Sequence, residues 1–180
     1  MVKCEGVKKY FKSRTGTVKA LDGVSLEIGK GEIFGLVGES GCGKTTLGKI
    51  ILGIIKPDSG RVTLETKKIQ VVFQDPYNSL DPKMKIFDIL AEGLIVHSSW
   101  FIVHGSFDIR RKVEEVLDLI KLPKEVLDKY PHQFSGGERQ RIAIGRAVLT
   151  KPEFIVCDEP VSSLDVTSKE VGHNLPFYKP

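Results

Sequence analysis

Residues 38–46, with the sequence GESGCGKTT, fit the pattern G-x-x-x-x-G-K-[ST] of a phosphate-binding loop. Glycines let the backbone of such a loop turn its N–H groups towards an anion, and a following helix adds partial positive charge. We expect Lys44 to reach the β- and γ-phosphates of a nucleotide, and the Thr45 hydroxyl to bind Mg²⁺. The predicted phosphate-binding residues are Gly38, Ser40, Gly41, Cys42, Gly43, Lys44, Thr45 and Thr46.

The sequence on either side of this loop supports the interpretation. Residues 33–37 (IFGLV) are a short apolar run that predicts a buried strand, and residues 47–53 (LGKIILG) can continue as a helix. The alternative is a glycine-rich turn with an unrelated lysine, and the order strand, loop, helix argues against it. Nucleotide binding is therefore the expected chemistry.

Two carboxylates follow a second apolar run, residues 154–157 (FIVC). A protein with a phosphate-binding loop needs a second Mg²⁺ ligand, typically an aspartate at a strand end, and Asp158 fits this role. Glu159 is placed to polarise an attacking water. The predicted reaction is nucleotide hydrolysis, with Lys44, Gln74 and Glu159 as the catalytic residues.

Gln74 opens a polar loop, residues 74–82 (QDPYNSLDP), after a predicted strand over residues 69–73. Ligands of open α/β sheets bind beyond the C-terminal ends of strands, and a glutamine there can contact a metal, a water or a phosphate oxygen. A solvated loop residue is the alternative. The two prolines predict that this loop has no regular structure. The predicted metal ligands are Thr45, Gln74 and Asp158.

Two other groups of residues each have two interpretations. Ser135 precedes a predicted helix and is a candidate N-cap, and the glycines after it leave backbone N–H groups approachable. A capped surface helix is the alternative, and the physical chemistry of these residues alone favours it. Tyr10 and Phe11 lie among lysines, and they are either core aromatics of an edge strand or a ring that stacks on adenine. The sequence alone leaves both interpretations open.

The composition limits the class of protein. A chain of 180 residues with 41% hydrophobic and 28% charged residues suffices for one soluble domain, and no apolar run is long enough to span a membrane. The first residues lack the apolar segment of a secretion signal, and three separated cysteines suggest free thiols in a reducing compartment. The net charge of +4 comes without a basic run with interleaved aromatics, so we expect no nucleic-acid partner.

The remaining periodicity predicts an α/β core that is interrupted by helices. Strict alternation over residues 24–28 predicts a half-buried strand, and residues 61–64 predict another. Three segments are predicted to be helical, residues 86–96, 108–122 and 124–130. We therefore expect a nucleotide-binding α/β core of residues 1–75 and 134–180, with a helical subdomain of residues 76–133 inserted between its halves.

Together these motifs resemble one family, the ATPase subunits of ABC transporters. Residues 38–46 match its Walker A motif, residues 134–138 (FSGGE) resemble its signature motif, and residues 154–159 resemble Walker B with the catalytic glutamate. Residues 162–165 (SSLD) resemble the D-loop, and Gln74 the Q-loop. The resemblance implies a P-loop NTPase fold with a mainly parallel sheet, N-terminal antiparallel strands and a helical insert, acting on ATP with Mg²⁺.

The resemblance also implies a second subunit. In this family the signature serine and glycines bind the γ-phosphate of the ATP held by the partner, which makes a head-to-tail dimer the working unit. The corresponding residues here are Ser135, Gly136 and Gly137. By the same resemblance Asp165 joins the nucleotide-binding residues. Phe11 is the expected adenine-stacking ring, with Tyr10 as the second choice.

Residues 72–84 and 129–137 are similar to the dipeptide and oligopeptide importer group of the family, whose relatives also import nickel and some sugars. This resemblance implies an ATPase that drives transport from the cytoplasmic face of the cell membrane, bound peripherally to transmembrane permease subunits. Two rival functions are a nucleotide-binding module with little turnover and a soluble ABC ATPase of translation or DNA repair.

The chain departs from the family pattern in two places. The stretch over residues 61–73 is shorter than usual, and the resemblance ends after Ser168. The family's switch histidine would lie farther along, and His173 is too close to Glu159 to take its place. We therefore expect the chain to bind MgATP but to hydrolyse it poorly.

Overall fold

The computed structural model describes residues 1–14, 16–96 and 99–159. These residues form two compact units, of which the first is Met1–Ile69 and the second begins at Gln70. The division into an ATP-binding core and a helical subdomain with the boundaries given above stays a prediction.

The first unit is built on a three-stranded antiparallel sheet. β1 (Val2–Ser13) lies between β2 (Gly16–Ile28) and β3 (Ser59–Leu64), and α1 (Lys44–Ile51) packs against β2 and β3. Side chains on β2 alternate between exposed and sheltered from Val24 to Ile28, as the sequence predicts. The buried apolar side chains of this unit are Val2, Cys4, Val7, Leu21, Ile28, Leu47, Ile50 and Ile51.

The strand predicted over residues 33–37 does not form. Ile33 is 56% exposed and Val37 is 94% exposed, and the segment belongs to neither sheet of the described chain. An apolar run selects side chains that favour burial, but a strand exists only where a neighbouring strand supplies backbone hydrogen bonds. The segment has no such neighbour among the described residues, so the prediction of a buried strand is wrong. The helix predicted after the loop is confirmed as α1.

The second unit combines a short sheet with helices. β4 (Ile69–Val72) pairs with β5 (Phe154–Cys157). The helices are α2 (Pro76–Ser79), α3 (Ile86–Val96), α4 (Ser99–Leu119) and α5 (Gly136–Leu149), with 3₁₀ turns at Lys124–Asp128 and Pro131–Gln133. The bounds of α3 agree with the prediction. α4 begins before residue 108 and ends before residue 122, and the third predicted helix is only a 3₁₀ turn.

The two prolines after Gln74 do not exclude regular structure, contrary to the prediction. Pro76 is the first residue of α2, a position where its missing N–H has no intrahelical partner to lose. Asp75 caps the helix, because its Oδ1 accepts hydrogen bonds from the backbone N–H groups of Tyr77 and Asn78 at 2.9 and 3.4 Å. The short helix therefore begins at the proline instead of being broken by it.

The core of the second unit lies between its helices. The apolar face predicted for α4 is confirmed, since Val113, Val116, Leu117 and the following Ile120 are all buried. They pack with buried residues of α3 and α5, such as Leu90 and Ile142, in one continuous cluster. Among the described residues, no helix is both long and apolar enough to cross a membrane.

Candidate functional site

The phosphate-binding loop enters α1 through a glycine that no other residue can replace without strain. Gly43 is the N-cap of α1 and has φ of +98°, in the left-handed region that side chains avoid. A Cβ atom on Gly43 would also lie 2.2 Å from the carbonyl oxygen of Ala20 on β2. Close approach to the sheet and left-handed backbone thus both require glycine at this position.

Lys44 bridges the two sides of the loop. Its Nζ donates hydrogen bonds to the carbonyl oxygens of Gly38 and Glu39, both at 2.7 Å, and lies 3.8 Å from Sγ of Cys42. Residues 32–42 are exposed, and the loop ends at the N-terminus of an eight-residue helix. An ammonium group, an exposed loop and a helix N-terminus together fit a phosphate group.

The aromatic pair on β1 is not part of a hydrophobic core. Phe11 is 39% exposed, and Nζ of Lys9 lies 5.6 Å from the centre of its ring. Tyr10 is half-buried and donates its hydroxyl proton to Asp22, a hydrogen bond that raises the pKa of Tyr10 and lowers that of Asp22. The core interpretation is therefore wrong for Phe11, while an adenine-stacking role for either ring stays a prediction.

In the second unit, the structure brings Gln74, Asp158 and Glu159 together. The N–H of Asp158 donates to the carbonyl oxygen of Val72 at 2.9 Å, so the C-terminal ends of β4 and β5 lie side by side. Beyond these ends, Nε2 of Gln74 donates to Oε2 of Glu159 at 2.7 Å. The residues that were predicted separately from two apolar runs are thus neighbours at one edge of the sheet.

Glu159 has an unusual backbone conformation. Its φ is +47°, in the left-handed region that costs free energy for a residue with a side chain. Strain of this kind persists where the surrounding structure fixes the backbone, and the side chain of Glu159 is held by its bond with Gln74. Its exposed carboxylate lies two residues after the end of β5.

The residues predicted to bind Mg²⁺ belong to both units. Thr45 is the second residue of α1, and Gln74 and Asp158 follow β4 and β5. Their hydroxyl, amide and carboxylate oxygens are the hard donors that Mg²⁺ prefers. The donor chemistry therefore fits the ion, and the ligand assignment stays a prediction.

Ser135 caps α5, as its sequence predicts. Its Oγ accepts from the N–H of Glu138 at 3.3 Å, and Oε2 of Glu138 accepts from the N–H of Ser135 at 2.9 Å, so the two residues form a capping box. The Ser135 hydroxyl also donates to Oε2 of Glu138 at 2.8 Å. Hydrogen bonds from the backbone and hydroxyl of Ser135 lower the pKa of Glu138. Ser135 is exposed and the next two glycines are half-buried at the helix start, so cap and nucleotide contact are compatible roles. Asp165 lies outside the described residues.

Sequence reasoning missed the contacts that α5 makes with the segment carrying Gln74. Gln140 is fully buried and donates from Nε2 to the carbonyl oxygen of Phe73 at 3.4 Å. Arg146 donates from Nη1 to the carbonyl oxygen of Ser79 at 2.8 Å. The available signal was the position of Gln140 among the apolar residues of the predicted helix. Buried polar side chains usually form a hydrogen bond, so this position indicated a specific partner.

Comparison with known proteins places these features in a family. A family model described as ABC transporter matches residues 21–162. The oligopeptide transport ATP-binding proteins OppF of Streptococcus mutans and Bacillus subtilis are 46% and 42% identical over 97% of this chain. A putative peptide import ATP-binding protein of Brucella ovis is 39% identical over 97% of the chain. The chain spans 61%, 62% and 59% of the lengths of these three relatives.

Solved structures of ABC cassettes have the same fold. The dimeric structure of a post-hydrolysis state of the ATP-binding cassette MJ0796, bound to ADP and Pi, matches with a TM-score of 0.84 and 29% identity, over 99% of this chain and 85% of that chain. The cbiO1 protein from Clostridium perfringens, part of the ABC transporter complex cbiONQ, matches with a TM-score of 0.77 and 28% identity, over 97% of this chain and 71% of that one. The α/β P-loop NTPase fold expected from the motifs is confirmed. Because the family model matches more than half of its residues, the chain belongs to the ABC transporter family.

Proposed function

We propose that this protein is the ATP-binding and ATP-hydrolysing subunit of an ABC importer for dipeptides or oligopeptides. Relatives that are named as oligopeptide transport ATP-binding proteins support the cargo class, and a neighbour in a post-hydrolysis state supports the reaction. One observation carries the hydrolytic part of the proposal: Nε2 of Gln74 lies 2.7 Å from Oε2 of Glu159 at the ends of paired strands.

The first unit is proposed to hold the nucleotide. Lys44 exchanges its hydrogen bonds with the carbonyl oxygens of Gly38 and Glu39 for bonds with the β- and γ-phosphates, while the N–H groups at the start of α1 face the same anion. Phe11 offers an exposed ring for the adenine base, and the hydroxyl group of Tyr10 is already bonded to Asp22. We therefore assign the stacking role to Phe11 first.

The second unit is proposed to supply the groups for hydrolysis. Glu159 accepts a hydrogen bond from the attacking water, which orients and polarises that water. Gln74 exchanges its bond with Glu159 for a contact near the γ-phosphate. Asp158 and Thr45 would hold Mg²⁺, which when bound neutralises charge on the phosphate oxygens. Gln74, Asp158 and Glu159 follow the ends of β4 and β5, whereas Thr45 is the second residue of α1 in the first unit.

The partners are proposed from the relatives and the family. A second ATPase subunit would use its signature motif on the phosphate end of the ATP bound here, while Ser135, Gly136, Gly137 and Asp165 would act on its nucleotide. The dimeric cassette among the structural neighbours supports this arrangement. Transmembrane permease subunits would anchor the protein peripherally at the cytoplasmic face of the cell membrane.

The test of the proposed function is co-purification from membranes. The tagged chain, expressed in its native cell, should be isolated from membranes together with permease subunits. Mass spectrometry then identifies these subunits. In vesicles, ATP hydrolysis by the complex should rise with added oligopeptide. Isolation without a membrane subunit would contradict the transport role, and stimulation by a sugar or nickel in place of peptide would contradict the proposed cargo.

A further inference from the structure

Three side chains of α5, those of Arg139, Gln140 and Arg146, contact the segment that carries Gln74. The segment begins directly after β4 and continues through Gln74 into α2. All of these contacts lie within the second compact unit. Side chains of the helix that starts at the signature motif therefore contact the segment of the proposed catalytic glutamine.

Gln140 contacts the residue immediately before Gln74. Its side chain is 0% exposed, and Nε2 donates to the carbonyl oxygen of Phe73 at 3.4 Å. Oε1 of Gln140 finds no hydrogen-bond partner in the part of the chain that the structure describes. Burying a half-satisfied amide lowers stability, whereas an apolar side chain of similar size would not have this cost. The amide is thus better explained by its donor contact with the Gln74 segment than by packing.

Arg146 contacts the other end of the same segment. Its Nη1 donates to the carbonyl oxygen of Ser79, the last residue of α2, at 2.8 Å. The arginine is half-buried. A hydrogen bond from its charged guanidinium to the carbonyl oxygen is stronger than a bond from a neutral donor would be. One end of the segment is therefore held through Phe73 and the other through Ser79.

Arg139 adds a contact in the middle of the segment. Its guanidinium carbon lies 4.0 Å from the centre of the Tyr77 ring, and its Nε donates to the carbonyl oxygen of Phe134 at 3.0 Å. Phe134 directly precedes Ser135, the cap of α5. Arg139 thus links the start of the signature helix with α2.

We propose that Gln140 and Arg146 are positioning residues for Gln74. By holding both ends of the segment on α5, they fix the backbone from which the amide of Gln74 exchanges Glu159 for MgATP. Gln74 has a target only if the chain binds MgATP, so this inference rests on the proposed function. Preorganised groups bind more tightly because no ordering of the loop is needed on binding. The effect should concern only the Mg²⁺-dependent part of ATP binding, because Gln74 is one of the predicted Mg²⁺ ligands.

Calorimetry of ATP binding, once with Mg²⁺ and once with EDTA, tests the proposal. Gln140→Leu and Arg146→Met should each weaken MgATP binding about twofold to tenfold, the range expected for one hydrogen bond. Both should leave metal-free ATP binding unchanged. Combined with Gln74→Ala, neither should cause a further loss, because residues that act through one another are not additive.

Arg141→Met is the matched control. Arg141 also lies on α5 and also donates Nη1 to a backbone carbonyl, but to that of Lys121 at 3.0 Å, away from the Gln74 segment. It should leave both affinities unchanged. An equal loss in this control, unchanged MgATP affinity in the two test variants, or full additivity with Gln74→Ala would each overturn the proposal.

A milder pair of variants covers the case in which a test variant does not fold. Arg146→Lys keeps the charge but loses the planar guanidinium whose Nη1 reaches Ser79, so it should bind MgATP more weakly than the unaltered chain, while Arg141→Lys should not. Equal affinities in this pair would overturn the proposal. Absence of Mg²⁺-dependent ATP binding by the unaltered chain would overturn the proposed function, and with it this inference.

Discussion

At the scale of single residues, Lys44 shows how the loop can be ready for a phosphate group. Two carbonyl oxygens, those of Gly38 and Glu39, accept its hydrogen bonds at 2.7 Å. Neutral carbonyls are weaker partners for an ammonium group than a phosphate is, so nucleotide can replace them. Until that exchange takes place, the ammonium group of Lys44 is held by backbone carbonyls of the loop itself.

Lys44→Ala should weaken MgATP binding at least about tenfold, because it removes a charge-assisted contact worth roughly 1.5–3 kcal/mol. Isothermal calorimetry measures the change. Lys49→Ala, a lysine in the last turn of the same helix, should bind MgATP normally. Equal affinities of the Lys44 variant and the unaltered chain would mean that this loop does not hold the phosphates.

The two aromatic residues on β1 can be separated by comparing ATP with inorganic tripolyphosphate. Phe11→Ala should weaken ATP binding, since stacking of a base on an aromatic ring contributes about 1–3 kcal/mol, but should not affect tripolyphosphate. Tyr10→Phe removes only the hydroxyl bonded to Asp22 and should bind both ligands normally. Loss of ATP affinity in Tyr10→Ala with Phe11→Ala unaffected would reverse the assignment.

At the scale of secondary structure, the start of α1 depends on the contact between Gly43 and β2. Gly43→Ala should lower the free energy of unfolding by about 1–3 kcal/mol, because the backbone is left-handed and the new Cβ would meet Ala20. Gly41→Ala is the control: its φ is also positive, but nothing lies within 4 Å of the added atom. Urea unfolding should show the larger loss for Gly43→Ala, and similar losses would contradict the role of the contact.

The capping of α2 should depend on pH. Hydrogen bonds from the Tyr77 backbone, the Asn78 side chain and the Asn78 backbone lower the pKa of Asp75 in the folded chain. The contribution of this cap to stability is thus present above the ordinary aspartate pKa of about 3.9 and is lost as pH falls through the depressed value. The amide signals of Tyr77 and Asn78 in NMR spectra should titrate with a midpoint below that ordinary value.

Asp75→Asn separates the cap from its charge. Asparagine is also a good N-cap, so α2 should persist, while the acid titration of the two amide signals should disappear. If these signals still titrated in the variant with the same midpoint, another carboxylate would be responsible for the pH dependence.

At the scale of the whole molecule, Glu159→Gln should separate ATP binding from hydrolysis. The replacement amide still offers an oxygen to Gln74, so the contact at the strand ends should survive. Turnover should slow by roughly 10²–10⁴-fold if the carboxylate polarises the water. Light scattering should then show a dimer that accumulates with MgATP. Glu138→Gln is a matched control, because glutamine also completes a capping box; it should neither slow turnover nor trap a dimer.

Local patterns alone were enough to predict several features of this protein. The sequence of residues 86–96 predicted α3, and Ser135 was recognised as the N-cap of α5. The phosphate-binding loop, α1 and β5 were also recognisable from short runs of residues. The helices and the N-cap depend on interactions between residues close in sequence, whereas β5 also needs the hydrogen bonds of β4.

Contacts between distant segments decided the rest. Residues 33–37 have the composition of a buried strand but no neighbouring strand among the described residues, because composition does not supply hydrogen-bond partners. The bond between Gln74 and Glu159 joins residues 85 positions apart, and Gln140 lies 67 positions from Phe73. Residue types and spacing therefore determined which chemistry the chain can perform. Only tertiary packing decided which side chains meet, because the free energy of these contacts depends on segments that are distant in the sequence.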